Sequence, residues 1–228
     1  MSKILILHGW TYSTDKWADF ISQMKKQKMD VELLKIPGLT QEINKVWNLD
    51  DYVEWLKRKV NSQKDKVILI GHSNGGRISL AFAYKYPQYL YHLILIDSAG
   101  IYHNELSIRL KRIVFKTLAK VGRKITKSEL MRKILYKLSR ERDYKDATPL
   151  VRKTMQNLIT SDISQKLDKI VTSTLIIWGE FDKVTPLQDG LVMHQLIKKS
   201  KLEIIKSAKH SPQFTHPKEV VKIIHEFI

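Results

Sequence analysis

Short apolar runs punctuate this chain. They fall at Ile4–Leu7 and at residues 31–36, 67–70, 93–96, 175–178 and 202–205. Each is four to six residues long, rich in Ile, Leu and Val, and bounded by Gly, Pro, Asp or Lys. Such runs suit strands covered on both faces, as in a parallel sheet. Between the runs the apolar period changes to that of a helix. Trp17, Phe20, Ile21 and Met24 share one face behind Asp15, which is placed to cap it. Val53, Leu56 and Val60 share another behind Asp50 or Asp51, and Ile78, Phe82 and Tyr86 recur at four-residue spacing. Strands alternating with helices build right-handed βαβ units, and hence an open, doubly wound sheet of about six strands.

The alternation stops between residues 102 and 168. Leu106, Leu110, Ile113, Val114, Leu118 and Val121 fit one helix face, and Leu130, Ile134, Leu135 and Leu138 a second. Leu150, Met155, Leu158 and Ile159 suggest a third helix beyond Thr148-Pro149. An all-helical excursion between two strands reads as a lid over one edge of the sheet. The expected division is therefore a core of residues 1–101 and 169–228 with a lid of 102–168.

Charge is concentrated in that insertion. The 228-residue chain carries a formal charge of +17, and residues 101–160 alone hold 16 Lys and Arg against 5 Asp and Glu. A basic excess can meet nucleic acid, anionic lipid or an anionic substrate, and it can equally be a solvated surface. No nucleic-acid signature stands beside it, so no nucleic-acid partner is expected. The basic amphipathic stretch 106–121 is compatible with peripheral contact with an anionic membrane. No run approaches the roughly 20 apolar residues of a membrane span. The N-terminus has only four apolar residues after its Lys3, too few for a secretory signal, so a cytoplasmic protein is expected. With no cysteine, thiol catalysis and thiolate metal sites are excluded.

The sharpest motif is Gly71-His72-Ser73-Asn74-Gly75-Gly76, directly after one apolar run and directly before a helical pattern. A serine on a very tight strand-to-helix turn brings residues two positions either side into contact. Gly71 and Gly75 have no Cβ to clash, so the turn closes and thrusts the hydroxyl outward. The hydroxyl needs a base. His210 lies in Ser207-Ala208-Lys209-His210-Ser211-Pro212, just after the last strand run, with His216 as the alternative. The base needs an orienting acid. Asp182 follows the run 175–178, and Asp97, which ends the run 93–96, competes with it. His8-Gly9-Trp10 closes the first run, where a backbone N–H of Trp10 can join that of Asn74 in an oxyanion hole. All these residues follow strand C-termini, which share one edge of an open parallel sheet.

These stretches, together with Tyr86-Pro87 and Asp97-Ser98-Ala99-Gly100, resemble the α/β-hydrolase superfamily, in its lidded group of esterases, C–C bond hydrolases and aminopeptidase-like enzymes. The resemblance runs nearly end to end. It implies the α/β-hydrolase fold, with Ser73, Asp182 and His210 as triad and Trp10 and Asn74 as oxyanion positions. There are two departures. The chain opens at what resembles the family's third strand, without the usual first hairpin, and Asn74 stands where a larger apolar residue is more frequent. The implied activity is a serine carboxylic ester hydrolase on a small to medium, partly apolar substrate, needing no metal or organic cofactor. A C–C hydrolase, thioesterase or aminopeptidase with the same triad is the alternative, and a non-catalytic binding protein of this fold the alternative of another class. Trp10, Tyr12 and Leu39 are the expected pocket walls.

Overall fold

The computed structural model describes residues 2–11, 13–63, 65–102 and 147–228. Six strands form one sheet, β1 (Ile4–Leu7), β2 (Val31–Leu33), β3 (Val67–His72), β4 (Leu90–Ile96), β5 (Ser173–Gly179) and β6 (Ser200–Ile205), in the order β2-β1-β3-β4-β5-β6. Every neighbouring pair is parallel. The six apolar runs thus become the six strands, and the fold is the α/β-hydrolase arrangement that the sequence resembles.

Both faces of the sheet are covered, which is why its inner strands carry no polar alternation. Leu5, Leu7, Leu69, Leu93, Leu95, Ile176 and Trp178 point to one face. There they pack with Leu56 and Val60 of α2 (Leu49–Asn61), Ile78 and Phe82 of α3 (Asn74–Lys85), and Leu158 of α4 (Pro149–Thr160). Met193 of α5 (Leu187–Leu196) joins the same cluster. The intervening residues Ile4, Ile6, Ile68, Ile70, Ile94, Ile96 and Ile177 point to the other face. They meet Phe20 and Met24 of α1 (Ala18–Lys26) and, beyond the short helix α6 (Pro212–Thr215), Val220, Val221 and Ile224 of α7 (Pro217–Phe227). Period-two alternation persists, but between two apolar environments.

Local chemistry moves several boundaries. The run 31–36 yields only a three-residue strand, because Ile36 N–H donates to Thr40 Oγ1 (2.9 Å) and the chain turns at Pro37-Gly38. Neither expected aspartate cap forms. Asn48 caps α2 through Oδ1, which accepts the Asp51 N–H (3.0 Å), while Asp51 accepts the Asn48 N–H (2.9 Å). That reciprocal box satisfies two donors at once, which Asp50 alone would not. Asp15 opens a single 3₁₀ turn (Asp15–Trp17), and its carboxylate accepts from Ser13 Oγ (2.7 Å).

In the expected lid, the third helix forms as α4, capped by Thr148. Thr154 Oγ1 accepts the Trp47 N–H (2.9 Å) and Asn157 Nδ2 donates to the Trp47 carbonyl (3.0 Å), fixing α4 to the loop before α2. The two helices expected over residues 106–138 lie outside the described residues. Among the described residues, no helix is long and apolar enough to cross a membrane.

Candidate active site

Strand order reverses between β1 and β3: the chain steps outward from β1 to β2, then returns to the opposite side of β1. The crevice beyond the strand ends at that point is where an open α/β sheet accepts ligands. Gly9 and Trp10 leave β1 on one side of it, and Ser73 leaves β3 on the other.

Ser73 has φ 53° and ψ −119°, a conformation that costs a non-glycine residue about 1–3 kcal/mol. Its surroundings over-determine it. Its N–H donates to the Ile96 carbonyl (3.1 Å), and its own carbonyl accepts from the N–H groups of Gly76 (3.0 Å) and Ala99 (2.9 Å). The flanking glycines are sterically required. A Cβ on Gly71 would lie 2.5 Å from Ser79 Oγ and 2.6 Å from Gly76 Cα, and one on Gly75 would overlap the Leu7 carbonyl. With α3 starting at Asn74, its positive dipole end lies beside Ser73.

The loop after β1 touches this turn, since a Cβ on Gly9 would come within 2.9 Å of the Ser73 Cβ. Trp10 follows Gly9 directly in the chain, and Asn74 follows Ser73 as the first residue of α3.

Two other strands bring the titratable groups. On the loop beyond β5, Asp182 lies 2.7 Å from His210 on the loop beyond β6, Nδ1–H donating to Oδ2. The remaining capacity of the carboxylate is filled locally: Oδ1 accepts the N–H groups of Val184 (2.7 Å) and Thr185 (3.2 Å), and Oδ2 accepts the Thr185 hydroxyl (2.8 Å). Burial works against the charge, but the His210 bond and charge, with these donors, hold the carboxyl below its ordinary value. His210 is therefore fixed by its Nδ1 side. Its hydrogen bonds run to Asp182 and Thr185 and, among the described residues, none runs to Ser73. Such contacts often tighten only when substrate binds.

Asp97 is the second carboxylate here. It is fully buried, with Oδ1 accepting the Gly179 N–H (2.8 Å) and Oδ2 the Ser211 N–H (2.6 Å). Its Oδ2 lies 3.9 Å from His210 Nδ1. Burial, with the negative charge of Asp182, pushes its carboxyl up to about 7 in spite of the two N–H bonds and of His210. His72 is buried beside them. Ser211 Oγ pairs with its Nε2 (3.1 Å), its ring centroid is 5.0 Å from that of His210, and burial drives its pKa far down, so the ring is neutral. His72, Asp97 and His210 place ligand-type atoms within 4.8 Å of one another. All three side chains are already engaged by hydrogen bonds, with Ser211, Gly179 and Asp182 as partners.

The remaining expectations scatter. His8 is buried and bonded to Thr40 Oγ1 (3.0 Å), which makes it a loop tie. His216 pairs with Thr215 Oγ1 (2.8 Å) at the start of α7. Leu39 is 7% exposed within the apolar cluster against which Trp10 packs, while Tyr12 lies outside the described residues. Thr185, Ser211 and Gly179 were not foreseen as site residues. Only Thr185 left a signal, because Asp-x-x-Thr is the spacing at which an aspartate accepts from its own downstream turn.

Comparison with known proteins agrees with this fold. The family model described as alpha/beta hydrolase fold matches residues 3–217. A 2-hydroxy-6-oxo-2,4-heptadienoate hydrolase of Pseudomonas putida is 24% identical over 246 residues, covering 99% of this chain and 88% of its own. A pimeloyl-[acyl-carrier protein] methyl ester esterase of Wigglesworthia glossinidia brevipalpis is 27% identical, covering 99% and 93%. Among solved structures, a serine hydrolase involved in carbazole degradation superimposes with a TM-score of 0.74 at 19% identity, over 100% of this chain and 90% of its own.

Proposed function

The chain belongs to the alpha/beta hydrolase fold family, and on that premise we propose that it is a serine hydrolase whose nucleophile is Ser73, whose base is His210 and whose orienting acid is Asp182. Hydrolase chemistry itself follows from the family and from relatives named as hydrolases and esterases. The observation that carries the finer assignment is the 2.7 Å bond from His210 Nδ1 to Asp182 Oδ2, at the sheet edge where Ser73 also stands.

In this mechanism Nδ1 keeps its proton against Asp182, which leaves Nε2 with a free lone pair. Ser73 Oγ attacks the carbonyl carbon while Nε2 takes its proton. The carbonyl oxygen becomes an oxyanion held by the N–H groups of Trp10 and Asn74. The imidazolium, stabilised by Asp182, then protonates the leaving group, and water releases the acyl group through the same steps.

The leading substrate class is a carboxylic ester with a small to medium, partly apolar acyl group. Trp10 and the apolar cluster containing Leu39 support that choice. Residues 102–168 belong to the reading as a cap over the site, of which α4 is the described part. C–C bond cleavage is the second reading, favoured by the activity named for the Pseudomonas relative.

The decisive experiment is covalent labelling with a fluorophosphonate probe, read by intact mass, on the wild type and on Ser73→Ala. One adduct that disappears in the variant is the expected result. A folded wild type that takes no label overturns the assignment.

A further inference from the structure

Two carboxylates face one imidazole, and the proposed mechanism uses only one of them. Asp97 ends β4 with φ 42°, fully buried, its Oδ2 3.9 Å from the same nitrogen that Asp182 binds at 2.7 Å. Its two backbone bonds have a structural purpose. The Gly179 N–H begins the loop that carries Asp182, and the Ser211 N–H directly follows His210, so one carboxylate ties both loops to the end of β4. That tie needs two acceptor oxygens, but it does not need one of them turned toward Nδ1. The charged or titratable groups facing Asp97 are Asp182 beyond β5, His210 beyond β6 and the neutral His72 of β3.

We propose that Asp97 is a second acid for His210, a positioning residue that holds the base in place and takes over the Nδ1 side of the imidazole when Asp182 is lost. The inference rests on the serine hydrolase reading above. Closing 3.9 Å to hydrogen-bond range takes a shift of about 1 Å, within reach of a ring tilt in a loop that Asp97 itself anchors. The electrostatics favour the exchange. Asp182 and Asp97 repel one another, and that repulsion adds to burial in keeping the Asp97 carboxyl protonated. Removing the Asp182 charge lets Asp97 ionise more readily, just when His210 needs a counter-charge.

The test is a double-mutant cycle of Asp182→Ala, Asp97→Asn and the pair, in the full chain, with tertiary structure checked by near-UV circular dichroism. Two readouts apply: the rate of fluorophosphonate labelling, and hydrolysis of 4-nitrophenyl butyrate from pH 5 to 9. With a stand-in acid, Asp182→Ala costs ~10²-fold, against the ~10⁴-fold or more seen when a triad acid has no substitute. Asp97→Asn then costs a further ~10²-fold in the Asp182→Ala background, but about 10-fold or less in the wild type. The Asp182→Ala pH profile gains a dependence on Asp97 ionisation that vanishes in the double variant.

Equal costs of Asp97→Asn in both backgrounds mean a purely structural tie and overturn the proposal. If the Asp97→Asn variants do not fold, Asp182→Ala decides alone: a loss of ~10⁴-fold or more with an unchanged profile overturns it, and a smaller loss with the altered profile supports it. A wild type that takes no label is a failure of the hydrolase reading itself, and withdraws the inference with it. A labelled wild type with additive variants is a failure of the Asp97 inference alone.

Discussion

The N–H of Ser211 lies 2.6 Å from Oδ2 of Asp97, a bond between residues 114 apart in the chain that fixes the His210 loop to the end of a different strand. Because the accepting carboxyl is buried and pushed up to about 7, this tie couples stability to pH. In the unfolded chain Asp97 titrates near the ordinary carboxyl value of 3.8. Between the two values the native state holds the proton and the unfolded state has lost it. Stability from this group is therefore complete below about pH 4 and declines as pH rises through about 7. Asp97→Asn cannot ionise, so the difference in melting temperature, wild type minus variant, is expected to fall from pH 4 to pH 7. Calorimetry of both proteins across that range checks it, and a difference that grows with pH contradicts the assignment.

Strain at Ser73 gives a prediction that separates activity from stability. With φ at 53° and ψ at −119°, glycine is relieved of a penalty that alanine still bears. Ser73→Gly is expected to be more stable than Ser73→Ala by about 1 kcal/mol, with both inactive toward esters. Urea titration of the two variants measures the difference.

Gly75→Ala is expected to disrupt the fold. Its Cβ would overlap the Leu7 carbonyl, which is backbone at the end of β1 and has no rotamer to yield. A loss of about 3 kcal/mol or more follows, or failure to accumulate as soluble protein. A Gly75→Ala variant with wild-type melting temperature would show that α3 can draw back from β1.

Thr185→Val removes the hydroxyl that donates to Asp182 Oδ2 at 2.8 Å, at nearly constant shape. That donor helps hold the Asp182 carboxyl low, so its loss raises the carboxyl and loosens the grip on His210. A fall in kcat/KM of about 10-fold is expected. Ester hydrolysis by the wild type and the variant at one pH measures it.

Asn48→Ala tests the cap that replaced the expected aspartate. It is expected to cost about 1 kcal/mol without affecting ester turnover, because the box at the start of α2 is remote from Ser73 in the chain and bonded only locally.

Much of this was legible along the chain. The six apolar runs marked all six strands, most plainly the four inner ones, because a strand covered on both faces is apolar at nearly every residue. The glycines around Ser73 marked the tight turn because no Cβ fits there, and that constraint is local. Boundaries were less legible where short-range polar bonds compete, as at Ile36 with Thr40 and at Asn48 with Asp51.

By itself the sequence determined what local sterics and burial dictate: a parallel sheet with helices on both faces, a serine on a strained turn, and the strand ends at which Asp97, Asp182 and His210 must emerge. Tertiary structure alone decided which carboxylate binds the imidazole. Asp97 and Asp182 both follow strands, and although the resemblance favours Asp182, no local stretch shows which carboxylate reaches the imidazole. The ranking comes from distance across the sheet edge, 2.7 Å against 3.9 Å, and from the donors that reach Asp97 from other parts of the chain. Ser211 and Gly179 meet Asp97 because β4, β5 and β6 lie side by side, a neighbourhood set by the packing of the whole sheet and written in no single stretch of residues.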